Sequence, residues 1–150
     1  MNHLHFSFVC VLTLAGLIPV QLLVFGDQTT FLAGQFFGFS YVAVLLSFLS
    51  GIHWAFGLML RRWILHLTSV ILSLLPWLAF VLQKLDIIKE LETVWTIILL
   101  DALLILFIDY FYLYKHYEPR YLRLRGITTA LLALSIIVII IRHVAITKFH

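Results

Sequence analysis

Residues 40–80 read SYVAVLLSFLSGIHWAFGLMLRRWILHLTSVILSLLPWLAF, two apolar runs parted by the pair Arg61-Arg62. Each run approaches the roughly 20 helical residues that a hydrocarbon core ~30 Å thick requires, and so short a charged turn makes the two helices antiparallel neighbours. Outward from this hairpin the same pattern repeats, giving five candidate spans at 4–25, 39–60, 64–82, 93–114 and 127–146. With 63% of residues hydrophobic and a mean hydropathy of +1.10, too little polar surface remains to clothe a water-soluble globule. Backbone groups in lipid must bond within a helix or a closed barrel, and no strict period-2 alternation favours strands. The expectation is an all-α integral membrane protein, a five-transmembrane-helix bundle forming a single membrane domain.

The connections are short. Pro19 removes a backbone donor and predicts a bend near the end of the first helix. The segment GDQTTFLAGQFFG, residues 26–38, reads as an interfacial element whose Phe31, Leu32, Phe36 and Phe37 seek the membrane surface. Pro76 frees the carbonyl of Leu72, for which Ser69 or Ser73 can compensate. LQKLDIIKELETVW, residues 82–95, is amphipathic and predicts an extension of helix three or four into the headgroup layer. The amino terminus MNHLHFSF lacks Lys and Arg, so a retained first helix is expected rather than a cleaved signal or an Arg-rich targeting peptide. Cys10 is the single cysteine and reads as a packing residue.

The net charge of +3 matters less than its placement. Five crossings put the amino terminus on the side of Arg61, Arg62, Lys115, Arg120, Arg123 and Arg125, against Lys84, Lys89, Arg142 and Lys148 on the other. That asymmetry places the amino terminus in the cytoplasm. Arg61, Arg62, Arg120, Arg123 and Arg125 read as topological anchors at lipid headgroups, with an anionic-lipid or quinone-headgroup contact as the functional alternative. Tyr interleaved with these cations marks the aromatic belt, and no nucleic-acid partner is expected.

In helix two, Ser40, Ala43, Ser47, Ser50, Trp54 and Gly57 follow a three-four spacing, and Ser47 with Gly51 adds a small-xxx-small pair. Such a stripe is a helix-packing seam, or else the frame of a cavity floored by Trp54. His53 lies beside it, ~12 Å below the interface marked by Arg61. Asp109 and Asp101 lie ~9 Å and ~21 Å from the same interface, about 80° apart around helix four. Ionisable groups at that depth are costly and face protein or water. His53, Asp101 and Asp109 are therefore the expected buried polar cluster, either a hydrogen-bonded packing device or a proton or solute path. Asp109 also has the option of reaching toward Lys115 or Arg123.

Other chemistry finds no complete set. His53 and His66 differ in depth and His143 belongs to the opposite interface, which disfavours bis-histidine haem. No spacing supplies three or four converging zinc ligands, no Ser or Cys has a base at helical spacing, and no glycine loop cradles phosphate. No catalytic residue, metal or cofactor is assigned. The absence of an internal repeat argues against the usual inverted-repeat transporter.

Three pieces taken together, SYVAVLLSFLSGIHWAFGL, SLLPWLAF and PRYLRLRGITTALL, resemble the domain of unknown function 3429 family, whose eukaryotic members are called transmembrane protein sixty-nine. The block Ser47 to Trp54 carries most of the likeness. The chain departs from the family pattern at Ser50 and Ala55, where Gly is usual, and at Arg120, where Trp is usual. The resemblance implies a bacterial or mitochondrial inner membrane and points to His53, Trp54, Pro76 and Arg125, but implies no activity. By elimination the sequence indicates a non-enzymatic accessory or assembly component of a membrane complex, with other subunits or further copies as partners, and the resemblance implies that this membrane is the bacterial inner membrane. The alternatives are a small channel or proton-coupled carrier and a haem or quinone protein.

Overall fold

A computed structural model describes residues 3–148, with side chains from Ser7 to Thr147. The Lys148 side chain and the first six side chains of the cation-free amino terminus lie outside the described residues. The elements are α1 (His3–Ala15), α2 (Ile18–Phe25), α3 (Gln28–Leu60), α4 (Trp63–Lys84), α5 (Leu91–Phe111) and α6 (Pro119–Lys148). Five segments are long and apolar enough to cross a membrane: Ser7–Phe25, Gln28–Leu60, Trp63–Lys84, Leu91–Phe111 and Pro119–Thr147. The protein is an all-α membrane bundle of five spans, the first of them broken.

That break lies just before Pro19. The chain leaves the helix at Gly16-Leu17 and re-enters it with the proline in the first two positions of α2, where a missing N–H costs nothing. The Tyr41 hydroxyl donates to the Gly16 carbonyl at 2.7 Å and secures the joint.

Residues 26–38 correct the sequence reading. Only Gly26 and Asp27 lie outside helix, and α3 runs unbroken for 33 residues, about 50 Å. Its start is local chemistry: Asp27 caps it, one carboxylate oxygen accepting from the Thr30 N–H at 2.9 Å and the other from the Thr29 hydroxyl at 2.8 Å. Leu32, Phe36 and Phe37 face outward, whereas Phe31 is fully buried, its ring centre 4.6 Å from the Arg142 guanidinium.

Arg61 ends α3 in the left-handed region at φ 52°, and extended Arg62 starts α4, so two residues reverse the chain. The resulting hairpin is zipped by serines. Ser69 Oγ donates to the Ser50 carbonyl at 2.8 Å, and Ser47 Oγ to the Ser73 carbonyl at 2.9 Å. The serines expected to relieve the Leu72 carbonyl are thus otherwise engaged, Ser73 Oγ bonding to the Val70 carbonyl. The amphipathic stretch 82–95 divides between two helices, with α4 ending at Lys84 and α5 starting at Leu91. Asp86, at φ 58°, turns the chain between them.

The core runs through the middle of the bundle. Phe39 stacks on Phe80 with ring centres 5.0 Å apart and meets the edge of fully buried Trp95 at 5.7 Å. α6 begins at Pro119, eight residues before the start expected at 127, because proline suits a first helical turn. Its opening turns therefore carry Arg120, Arg123 and Arg125 down beside the ends of α3 and α5.

Candidate functional site

Asp109 sits two residues before the end of α5, with no exposed surface. Three other segments converge on it. His53 Nε2, from α3, lies 2.9 Å from Oδ1, and the Tyr117 hydroxyl, from the turn after α5, donates to the same oxygen at 2.8 Å. From α6, Arg125 approaches Oδ2 with Nε at 2.8 Å and Nη2 at 2.6 Å, while Nη2 also lies 3.3 Å from the Leu49 carbonyl. A carboxylate has about four lone-pair positions, so this one is saturated. Burial, above all, raises the Tyr117 phenol far beyond its ordinary value, so it stays a donor to Asp109.

Local folding explains the convergence. In an antiparallel bundle the ends of α3 and α5 and the start of α6 share one level. Arg125, six residues into α6, descends ~9 Å from the helix start, and its Nε and Nη2 reach Asp109 in the last turn of α5. Leu65, Leu113 and Tyr117 close an apolar lid around the pair, with Phe56 edge-on to Tyr117 at 4.8 Å.

The structure brings together two of the three groups expected to cluster, His53 and Asp109. Asp101 stands apart: it is fully buried, and neither carboxylate oxygen has a hydrogen-bond partner. Arg125 is also corrected, since at 2% exposure it is no headgroup anchor but the main counter-charge of Asp109. Arg61, Arg62, Arg120 and Arg123 remain exposed at that end. Tyr117 and the inward role of Arg125 escaped the sequence reading. Starting the helix at Pro119 puts Tyr121, Arg125, Thr128 and Leu132 on one face, and that signal was available.

The small-residue stripe divides. Ala43, Ser50 and Gly57 are buried, and half-buried Ser47 also accepts from the Trp77 indole at 3.3 Å. At Gly57 an added Cβ would lie 2.8 Å from the His66 ring, so this close approach requires glycine. Ser40 bonds its own Phe36 carbonyl at 3.1 Å. Gly51 does not belong to the seam, since a Cβ there meets nothing within 4 Å, whereas Trp54, 45% exposed, packs its ring against His66 of α4 and so takes part in the seam instead of flooring a cavity.

At the opposite end His143 links Gln35, 3.1 Å away at Nδ1, to Glu92, 3.5 Å away at Nε2. Arg142 there donates to the Leu23, Val24 and Gly26 carbonyls that end α2. The histidines of α3, α4 and α6 thus occupy three separate settings. Among the described residues no three His, Cys, Asp or Glu side chains gather as metal ligands.

A search of curated proteins and a search of solved structures return no match. The sequence profile of the DUF3429 family, described as a protein of unknown function, matches residues 7–141, from within α1 to within α6. The match takes in His53, Asp109, Tyr117 and Arg125 and most of the chain, and the protein therefore belongs to the DUF3429 family.

Proposed function

We propose that this membrane protein is a non-enzymatic accessory or assembly component of a multi-subunit complex in the bacterial inner membrane. The observation that supports this reading is the saturated Asp109. His53, Tyr117 and Arg125 all donate to it, fastening α3, α5 and α6 to one another and leaving that carboxylate no free acceptor position. Among the described residues only short turns and the start of α1 lie outside the spans, none large enough to fold alone, so interaction through the membrane-facing helices is the natural means of action. Arg125 and Arg142, one from each side, are both engaged inside the protein, so the two-cation excess favouring a cytoplasmic amino terminus is unchanged. Extraction of the protein from its native membrane in mild detergent, followed by mass spectrometry, tests the reading. A stoichiometric membrane partner is expected; a homogeneous monomer free of partners overturns it.

Asp101 favours a second reading. A buried acid with both oxygens unpartnered suits a group that takes up and releases a proton. In a proton-coupled carrier Asp101, with His53 and Asp109 already engaged, would be the proton-bearing residue. Proton flux in proteoliposomes that disappears in a folded Asp101→Asn variant would favour this carrier over the accessory role.

A further inference from the structure

The first span is packed into the bundle over only part of its length. After the Gly16-Leu17 break, Val20, Leu23 and Val24 of α2 are buried, and the Gln21 amide donates to the Ser135 hydroxyl at 2.7 Å, tying α2 to α6. Before the break no described side chain of α1, from Ser7 to Ala15, is buried. A cleft of about 360 Å³ opens there between α1, α3 and α6, with Leu12, Leu45, Leu49 and Leu132 among its mostly aliphatic walls. Its polar residues are engaged elsewhere. The Thr13 and Thr128 hydroxyls bond backbone carbonyls of their own helices, and Arg125 is held by Asp109 and the Leu49 carbonyl. An unfilled apolar gap between helices forfeits dispersion contacts on every wall, and hydrocarbon is the filler that a bilayer supplies.

We infer that this cleft holds one acyl chain of an anionic phospholipid whose phosphate meets Arg120 at the mouth. The lining along α6 runs from Tyr121 to Leu132, ~16 Å, close to the ~15 Å that one leaflet contributes to a hydrocarbon core ~30 Å thick. The cleft is thus one chain deep. Arg120, Leu124, Thr128 and Leu132 recur every four residues, so Arg120 stands one turn beyond the last three, on the face that lines the cleft. It is exposed in the first turn of α6, where a side chain leans toward the helix start and hence toward the headgroups. No ion pair of the described residues uses it. Charge then selects the headgroup: exposed Arg61, Arg62, Lys115, Arg120 and Arg123 at this end are opposed by one exposed acid, Glu118, whereas Asp27, Asp86, Glu90 and Glu92 offset the cations of the other end. The inference stands apart from the accessory reading, since a lone monomer holds a lipid equally well.

The test uses the whole chain, delipidated in detergent, with dioleoyl phosphatidylglycerol and dioleoyl phosphatidylcholine titrated separately under native mass spectrometry. One saturable equivalent of phosphatidylglycerol is expected, held about fivefold more tightly than phosphatidylcholine. Thr13→Trp fills the cleft from a half-buried position outside the core and should weaken both lipids about tenfold or more. Arg120→Gln, at an exposed position, should abolish the preference between headgroups and leave phosphatidylcholine binding unchanged. Absence of saturable lipid binding overturns the inference, as does equal affinity of the wild type for the two headgroups or unchanged binding in Thr13→Trp. A wild-type dimer that Thr13→Trp disperses also overturns it, because a second copy would then fill the cleft.

Discussion

Asp109 and Asp101 project from the same helix, eight residues apart, and neither has any exposed surface. One is held by His53, Tyr117 and Arg125; the other touches no donor at all. Burial does not separate them, because depth along the helix does. Asp109 stands at the end of α5, where the following turn folds Tyr117 back and the first turns of α6 deliver Arg125. Asp101 lies ~12 Å farther along, beyond the reach of any interfacial cation, with Ile98, Ala102 and Ile105 as buried neighbours on its own helix. A membrane bundle can saturate a buried acid where chain reversals bring donors in, and meets difficulty where only helix sides face one another.

The largest effect that sharpens this contrast comes from breaking the pair. Arg125→Leu leaves Asp109 with its principal counter-charge gone, at an expected loss of about 3–5 kcal/mol. The double variant Arg125→Leu, Asp109→Leu removes both charges and should recover most of that loss, since a buried pair replaced by apolar groups is often neutral. Thermal unfolding of wild type, both single variants and the double variant in one detergent gives the coupling directly. Additive losses would show that the pair does not hold the helices, and the contrast with Asp101 would collapse.

Asp101 should behave in the opposite sense. Replacing it by Leu removes two unsatisfied acceptors and adds apolar contact, so a gain of about 1–3 kcal/mol is expected. Asp109→Leu, the same exchange two turns away, should lower stability instead, because it strands Arg125. A loss of stability in Asp101→Leu would mean that Asp101 has a partner when the protein is folded in a bilayer. If Asp101→Leu gains stability while flux is lost, the residue is retained for the proton at the expense of the fold.

Much of the fold was legible because lipid as solvent leaves few choices. Five apolar runs and the Arg61-Arg62 reversal sufficed for the spans and for one antiparallel pair. The errors share one cause, which is that hydropathy marks where a helix is buried and not where it begins. Asp27 followed by Thr29 and Thr30 is a capping signal that starts α3 at Gln28, yet Phe31, Leu32, Phe36 and Phe37 made 26–38 read as an interfacial element between spans. Pro119 likewise starts α6 early, and counting from it turns Arg125 inward. His53 and Asp109 were legible as costly groups at matching depth. The isolation of Asp101 was not, since it depends on which side chains the neighbouring helices turn toward it.

A third aspartate calibrates the other two, and gives the smallest effect. Asp27 has hydrogen bonds as Asp109 does, but it stands in solvent between the first two spans. Bonds from Thr30, and next from the Thr29 hydroxyl, hold its carboxyl down at about 2, against an ordinary value of 3.8. A lowered folded-state value means a contribution that is complete above about pH 4 and vanishes as pH falls through about 2. Asn caps helices as well as Asp does, so Asp27→Asn should match wild type near pH 2 and fall slightly behind it above pH 4. Unfolding temperatures of the two proteins across pH 2–6 isolate this step, because every other acid titrates alike in both. A parallel pair of curves would mean that the cap does not titrate with folding, and that partners stabilise a carboxylate in this protein only where water is excluded.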